Sequence, residues 1–291
     1  MLLILGGTAE ARELAAALHE RGLAVTTSLA GRVSNPRLPP GRVRMGGFGG
    51  PSGLAAWLRQ HRVDAVIDAT HPFAARISSS AAAACAATAV PLLRLERPPW
   101  RERPGDRWTR VADLQQAAAL LQARAAALRR TPTATQVRAM TGTPAAGEAR
   151  AAGGSAGGGG RRPGIRAKER LRVLLTTGRQ GLAAFATLEE CWLLVRCVEP
   201  PTPPLPPHHQ LLLDRGPFTL AGELALLDRH RIELLVAKES GGEMTQAKLD
   251  AARARGLEVI LVQRPPRPPV EAVATVDRAL AWALAAAGRN P

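Results

Sequence analysis

The chain has 291 residues, a formal net charge of +15, 46% hydrophobic and only 3% aromatic residues, and no tyrosine. That length accommodates two α/β domains each able to bury a core, while three cysteines without C-x-x-C spacing argue against a disulfide framework or a zinc site, so no metal is expected. The charge is not spread evenly: residues 129–172 hold ten basic and two acidic residues and supply +8 of it, without the interleaved aromatics that base stacking needs, which argues against nucleic acid as the partner.

Leu2 to Leu5 form an apolar run of a length that fits a buried parallel strand. Gly6-Gly7-Thr8 break it, and Ala9 to Arg21 place Ala11, Leu14, Ala15 and Leu18 at helical spacing. A helix that starts directly after a glycine turn aims unpaired N–H groups and its positive dipole end at the turn, where a phosphate is received. The G-x-G-x-x-G fingerprint is not met, so a plain turn and a phosphate site both stay open on these residues. The second strand ends at Ser28-Leu29-Ala30-Gly31-Arg32, with a hydroxyl and a guanidinium where an NAD site has a carboxylate. This favours NADPH and leaves NADH open; the alternative is that Arg32 is one solvated arginine among 36.

Arg42 to Met45 read as a third strand, followed by Gly46-Gly47-Phe48-Gly49-Gly50, a run in which the backbone can close on a ligand, and by a helix from Pro51 to His61. Asp64 to Ala69 is a fourth strand running into Thr70-His71-Pro72-Phe73. A helix then extends to about Thr88, and Pro91 to Leu95 are a fifth strand. The longest uncharged run, Ile77 to Leu93, is rich in alanine and serine and carries Pro91; with no membrane span and no basic leader, a cytoplasmic protein is expected. Strands alternating with helices imply an α/β fold with a mainly parallel sheet, whose ligands bind beyond the carboxyl ends of the strands. The turns at Gly6, Ser28, Gly47 and Thr70 therefore share one rim. His71, the histidine among them, either gives a proton or a hydrogen bond, or caps the helix that follows.

Trp108 to Val111 read as an edge strand, and Asp113 caps a further helix. Residues 130–170 are basic, glycine-rich and almost without large apolar side chains, so they are expected to be a disordered linker or insertion between an N-terminal domain (1–129) and a C-terminal α/β domain (171–291). The second half restarts with a strand into Thr176-Thr177-Gly178-Arg179, a helix to about Glu190, a strand from Cys191 and another from Gln210. A helix from Thr219 to His230 follows, then the strand Ile232–Ala237 into Lys238-Glu239-Ser240-Gly241-Gly242, a helix carrying Lys248, the strand Leu257–Gln263 and a closing helix from Val270 to Ala287. Two similar halves suggest two Rossmann-like lobes with a cleft between them. Arg179, Arg215, Lys238, Lys248 and Arg264 fall at or near strand ends of the second; such a set suits a substrate with several carboxylates, or is a solvated basic face.

The stretches LILGGTAEAREL, SLAGR, GGFGG, DATHPFAARIS, PLLRLERPPW, TTGRQGL, RGPFTLAGELALL and AKESGGEMTQAKLDAARARGLEVILVQRP, in this order, resemble the precorrin-6A reductase family of cobalamin biosynthesis. The resemblance implies a two-domain α/β reductase that transfers hydride from NADPH to the precorrin-6A macrocycle, giving precorrin-6B, or acts on the cobalt-containing counterpart. It places the cofactor against Gly6, Gly7, Thr8, Glu10, Arg12, Ser28, Gly31, Arg32, Gly47 and Thr70. His71 is then the catalytic candidate, and Phe73, Arg179, Lys238, Ser240, Gly241 and Lys248 meet the tetrapyrrole-derived polycarboxylate. The chain departs from the family pattern in its 130–170 insertion and at Glu239, where the family usually has Asn. The rival readings are an NADPH-dependent reductase of a small carbonyl or imine compound, and a noncatalytic nucleotide- or nucleic-acid-binding protein.

Overall fold

The computed structural model describes residues 1–31, 36–130 and 170–288. Six strands, β1 (Leu2–Leu5), β2 (Val25–Leu29), β3 (Arg42–Met45), β4 (Ala65–Asp68), β5 (Leu92–Leu95) and, from the far end of the chain, Ala272–Val273 (β12), form one wholly parallel sheet in the order β12-β5-β4-β1-β2-β3. A second parallel sheet, built from β6 (Trp108–Val111), β7 (Leu171–Thr176), β8 (Cys191–Cys197), β9 (His209–Leu213), β10 (Leu234–Lys238) and β11 (Glu258–Val262), has the order β6-β11-β10-β7-β8-β9. The helices are α1 (Ala9–His19), α2 (Gly50–Gln60), α3 (Ala75–Thr88), α4 (Leu114–Arg130), α5 (Leu220–Arg229), α6 (Ala247–Ala254) and α7 (Val276–Ala287).

Both faces of each sheet are covered, which is why the central strands are apolar throughout. In β1, Leu2 and Ile4 pack with Leu14 and Leu18 of α1 and Ala279 and Ala283 of α7. Leu3 and Leu5, pointing the other way, meet Leu54 and Leu58 of α2 and Ala81 and Ala84 of α3. The four residues buried on α1 are those at helical spacing in the sequence.

The expected division at residue 129 is corrected by the strand pairing. β6 lies against β11, with Trp108 opposite Val259, so β6 and α4 belong to the second lobe. β12 lies against β5, with Ala272 opposite Arg94, and β12 and α7 complete the first lobe. The chain thus crosses between lobes twice, through residues 96–107 and 263–271. A two-residue strand leaves no periodicity to read, and the helix expected from Val270 starts only at Val276, where the Thr275 hydroxyl accepts from the Arg278 N–H. The helix expected to reach Glu190 is also shorter: a single 3₁₀ turn, Leu182–Phe185, seats Leu182, Phe185 and Leu188 in the core. The expected linker falls, for residues 131–169, outside the described residues. Among the described residues no helix is long and apolar enough to cross a membrane.

Candidate functional site

The carboxyl ends of β4 and β5 face those of β10 and β11, and the cleft between them is closed by groups from both crossovers. On the first lobe, the Thr8 hydroxyl caps α1 by accepting from the Ala11 N–H at 3.1 Å and donates to the Ala69 carbonyl at 2.8 Å, joining the glycine turn to the end of β4. Arg12 turns back to the Thr8 carbonyl at 3.1 Å. Glu10 lies in the first turn of α1 with both carboxylate oxygens 3.0 Å from Arg97 Nη1. Burial works against that carboxylate, but its own backbone N–H, the Arg97 guanidinium and Thr8 outweigh the burial and hold its pKa below the ordinary value.

Past β4, the buried Asp68 carboxylate accepts from the Thr70 hydroxyl at 2.6 Å and the Thr70 N–H at 3.1 Å, which fixes the backbone entering His71. The His71 ring accepts at Nδ1 from the Phe73 N–H at 3.2 Å, so a neutral ring carries its proton on Nε2. Burial first, then the charges of Arg97, Lys238, Arg267 and Arg264, pull its pKa down to about 3, and His71 is neutral at physiological pH.

The second lobe contributes the segment after β10. Lys238 places Nζ 5.4 Å from the centre of the Phe73 ring, and burial lowers its pKa. The Ser240 carbonyl accepts from Arg97 Nε at 2.8 Å and Arg264 Nη2 at 3.2 Å. Gly241 has φ +69°, and a Cβ there would sit 2.2 Å from the Pro98 carbonyl oxygen; glycine lets this loop lie directly on the first crossover. Glu96 is the hub beneath: its carboxylate meets Arg264 at 2.9 Å, Arg267 at 3.4 Å and Arg94 at 3.9 Å, while Arg267 also donates to the His71 carbonyl at 2.7 Å.

The structure therefore brings together Thr8, Glu10, Thr70, His71, Phe73, Lys238, Ser240 and Gly241. Gly6, Gly7 and Arg12 frame the same turn, while Ser28, Gly31 and Gly47 lie farther along the rim; Arg32 is outside the described residues. Arg179 is not in this cluster, pairing with Glu199 at 3.3 Å beyond β8. Lys248 sits under the loop in a second group, with Nζ 5.1 Å from the Trp100 ring and beside a buried Arg196–Glu223 pair at 2.5 Å. The sequence reading missed Glu96, Arg97 and Arg267, because an arginine among 36 carries no signal and the partners are fixed only by the fold; it also missed Asp68, whose partner Thr70 lies just two residues on and was a local signal.

Burial, and next Arg196, lower the Lys248 pKa to about 7, so this lysine costs the fold stability below its unfolded pKa, and stability should rise with pH between about 7 and 10.5. Lys248→Met should stabilise the protein by about 1–3 kcal/mol at pH 7 in chemical denaturation. A loss of stability would show instead that Lys248 holds its surroundings together.

A family model described as "Precorrin-6x reductase CbiJ/CobK" matches residues 1–284. The precorrin-6A reductase of Rhodococcus erythropolis is 47% identical over 283 residues, covering 97% of this chain and 96% of the relative. That of Mycobacterium tuberculosis (strain CDC 1551 / Oshkosh) is 44% identical over 283 residues, with the same shares covered. A solved structure titled "CobK precorrin-6A reductase" superimposes with a TM-score of 0.75 at 39% identity, covering 98% of this chain and 96% of that one, and carries the same α/β architecture.

Proposed function

Since the chain belongs to the precorrin-6x reductase family of oxidoreductases of cobalamin biosynthesis, we propose that it reduces the precorrin-6A macrocycle to precorrin-6B with NADPH bound at the carboxyl end of the first sheet. The observation that carries this reading is the facing pair Phe73 and Lys238: one lobe offers an aromatic face and a neutral histidine, the other a half-buried cation, across a cleft that starts at the α1 N-terminus. The precorrin-6A reductases among its relatives favour the cobalt-free substrate.

The residues present fit a dinucleotide. Gly7 has φ +114° and a Cβ there would meet nothing within 4 Å, so the turn is open above the helix N-terminus, and Ser28 offers a hydroxyl at the end of β2. Bound there, the nicotinamide supplies the hydride. This chain's part is positioning. Thr8 and Thr70 shape the floor on which the cofactor lies. His71, held by the Phe73 N–H and the Arg267 contact to its carbonyl, presents Nε2–H as a hydrogen-bond donor to cofactor or macrocycle. Lys238 receives a peripheral carboxylate, the Ser240–Gly241 loop borders the macrocycle, and Lys248, buried beneath that loop, does not reach it.

The reading is tested by following reduced-nicotinamide absorbance with precorrin-6A, NADPH and NADH being compared. Consumption of NADPH only in the presence of the macrocycle supports it; binding of NADPH without turnover sinks the substrate assignment. His71→Gln should slow turnover roughly 10- to 100-fold while leaving the NADPH Kd within about twofold. Because the folded pKa of His71 lies far below 6.5, its contribution to stability is complete above that pH and is lost as pH falls toward 3. His71→Gln should flatten that part of the stability profile; an unchanged profile would mean that the ring is solvated.

A further inference from the structure

We propose that Arg44, which no motif singles out, is the residue that selects the phosphorylated cofactor, by receiving a phosphomonoester on the adenosine ribose. The inference rests on the nicotinamide-cofactor reading above and adds the determinant of its specificity.

β2 and β3 run parallel with Ser28 opposite Arg44, so the two side chains stand next to each other at the strand ends. This is the place where a parallel α/β sheet receives the adenosine ribose, and an acidic residue there would take up the ribose hydroxyls. The described end of β2, Ser28-Leu29-Ala30-Gly31, carries no carboxylate. What the fold puts there instead is a guanidinium locked in one pose. Arg44 Nη1 donates to the Gly46 carbonyl at 2.6 Å and lies 3.4 Å from Ser28 Oγ, and Nη2 donates to the Gly47 carbonyl at 2.6 Å. Its central carbon lies 3.8 Å from the centre of the Phe48 ring, and that ring is itself held edge-on by Trp57 at 5.5 Å.

Three features make this a receiving site rather than a strut for the glycine loop. No carboxylate neutralises Arg44 among the described residues, whereas Arg94, Arg97, Arg264 and Arg267 all face one. Its five N–H donors are only partly used by two carbonyls and a hydroxyl, so the charge and spare donors stay available for an anion. A Cβ added at Gly46, Gly47, Gly49 or Gly50 would meet nothing within 4 Å, which leaves space over the loop for a ligand. A pre-stacked, pre-bonded arginine gives up little freedom on binding and pairs with a phosphate through two parallel bonds.

The test is equilibrium binding by calorimetry to the full chain, with NADPH against NADH and, free of any nicotinamide, 2′,5′-ADP against 5′-AMP. Arg44→Gln should weaken NADPH and 2′,5′-ADP by roughly 10- to 100-fold and leave NADH and 5′-AMP within about twofold; Arg44→Lys, which keeps charge but not the fork, should fall between. An equal loss for all four ligands would make Arg44 a loop strut and overturn the proposal. A wild-type preference for NADPH that survives in Arg44→Gln overturns the proposal alone, whereas a wild-type chain that binds NADH as tightly as NADPH overturns the cofactor reading as well.

Discussion

Replacing Glu96 by Gln should destabilise the protein by about 3 kcal/mol, read as a shift of the denaturation midpoint at unchanged slope. Glu96 lies in the first crossover, and two of its partners, Arg264 and Arg267, lie in the second; the third, Arg94, lies in the strand that pairs with β12. Arg267 and Arg94 are 5% and 10% exposed, so without the carboxylate their charges would stay together in a poorly hydrated space. Gln offers one acceptor and turns an N–H₂ toward the same guanidinium groups. The cost should exceed that of Arg110–Glu102, a pair 36% and 42% exposed, whose loss should be worth less than about 1 kcal/mol. If Glu96→Gln cost no more than Glu102→Gln, the hub would be water-screened and the two crossovers would be held by packing alone.

Gly241→Ala should damage both the fold and the site. The new methyl would fall 2.2 Å from the Pro98 carbonyl oxygen and 2.5 Å from Arg264 Nη2, and the φ of +69° is itself costly for alanine. Because the first obstacle is backbone, the loop must lift, and the Ser240 carbonyl then leaves Arg97 and Arg264. A loss of about 2 kcal/mol or more in stability is expected, together with a raised KM for the macrocycle and a smaller change in NADPH affinity, since the Thr8 cap of α1 and its bond to Ala69 are untouched. Gly256→Ala, with φ +62° and nothing within 4 Å, carries the conformational cost without the clash and serves as the control. Equal effects at the two positions would mean that the loop does not bear on the first crossover.

Both substitutions concern contacts that the sequence conceals, and the reason is physical. Period and punctuation are local, so the buried face of α1, the glycine turn after β1 and the strand that precedes Thr70-His71 were legible from spacing alone. The exchange of β6 and β12 was not, because parallel pairing is fixed by register with strands more than a hundred residues away and β12 offers only Ala272 and Val273. The site divides in the same way. His71 and Lys238 stand at strand ends and could be named. Glu96 meets Arg264 and Arg267 of the second crossover, Arg97 bridges Glu10 and the Ser240 carbonyl, and Arg44 stands opposite Ser28 on the neighbouring strand. The low pKa of His71 likewise follows from burial and from four cations gathered from both lobes, none of which is adjacent to it in the sequence.

The measurement that bears most directly on the account is isotope transfer: anaerobic incubation of the protein with precorrin-6A and NADPH carrying deuterium at both nicotinamide C4 positions, followed by mass spectrometry of the macrocycle. Direct delivery across the cleft predicts a product carrying a single deuterium, with the accompanying proton drawn from water. A reduced macrocycle without deuterium, or no reduction while NADPH binds, would contradict it.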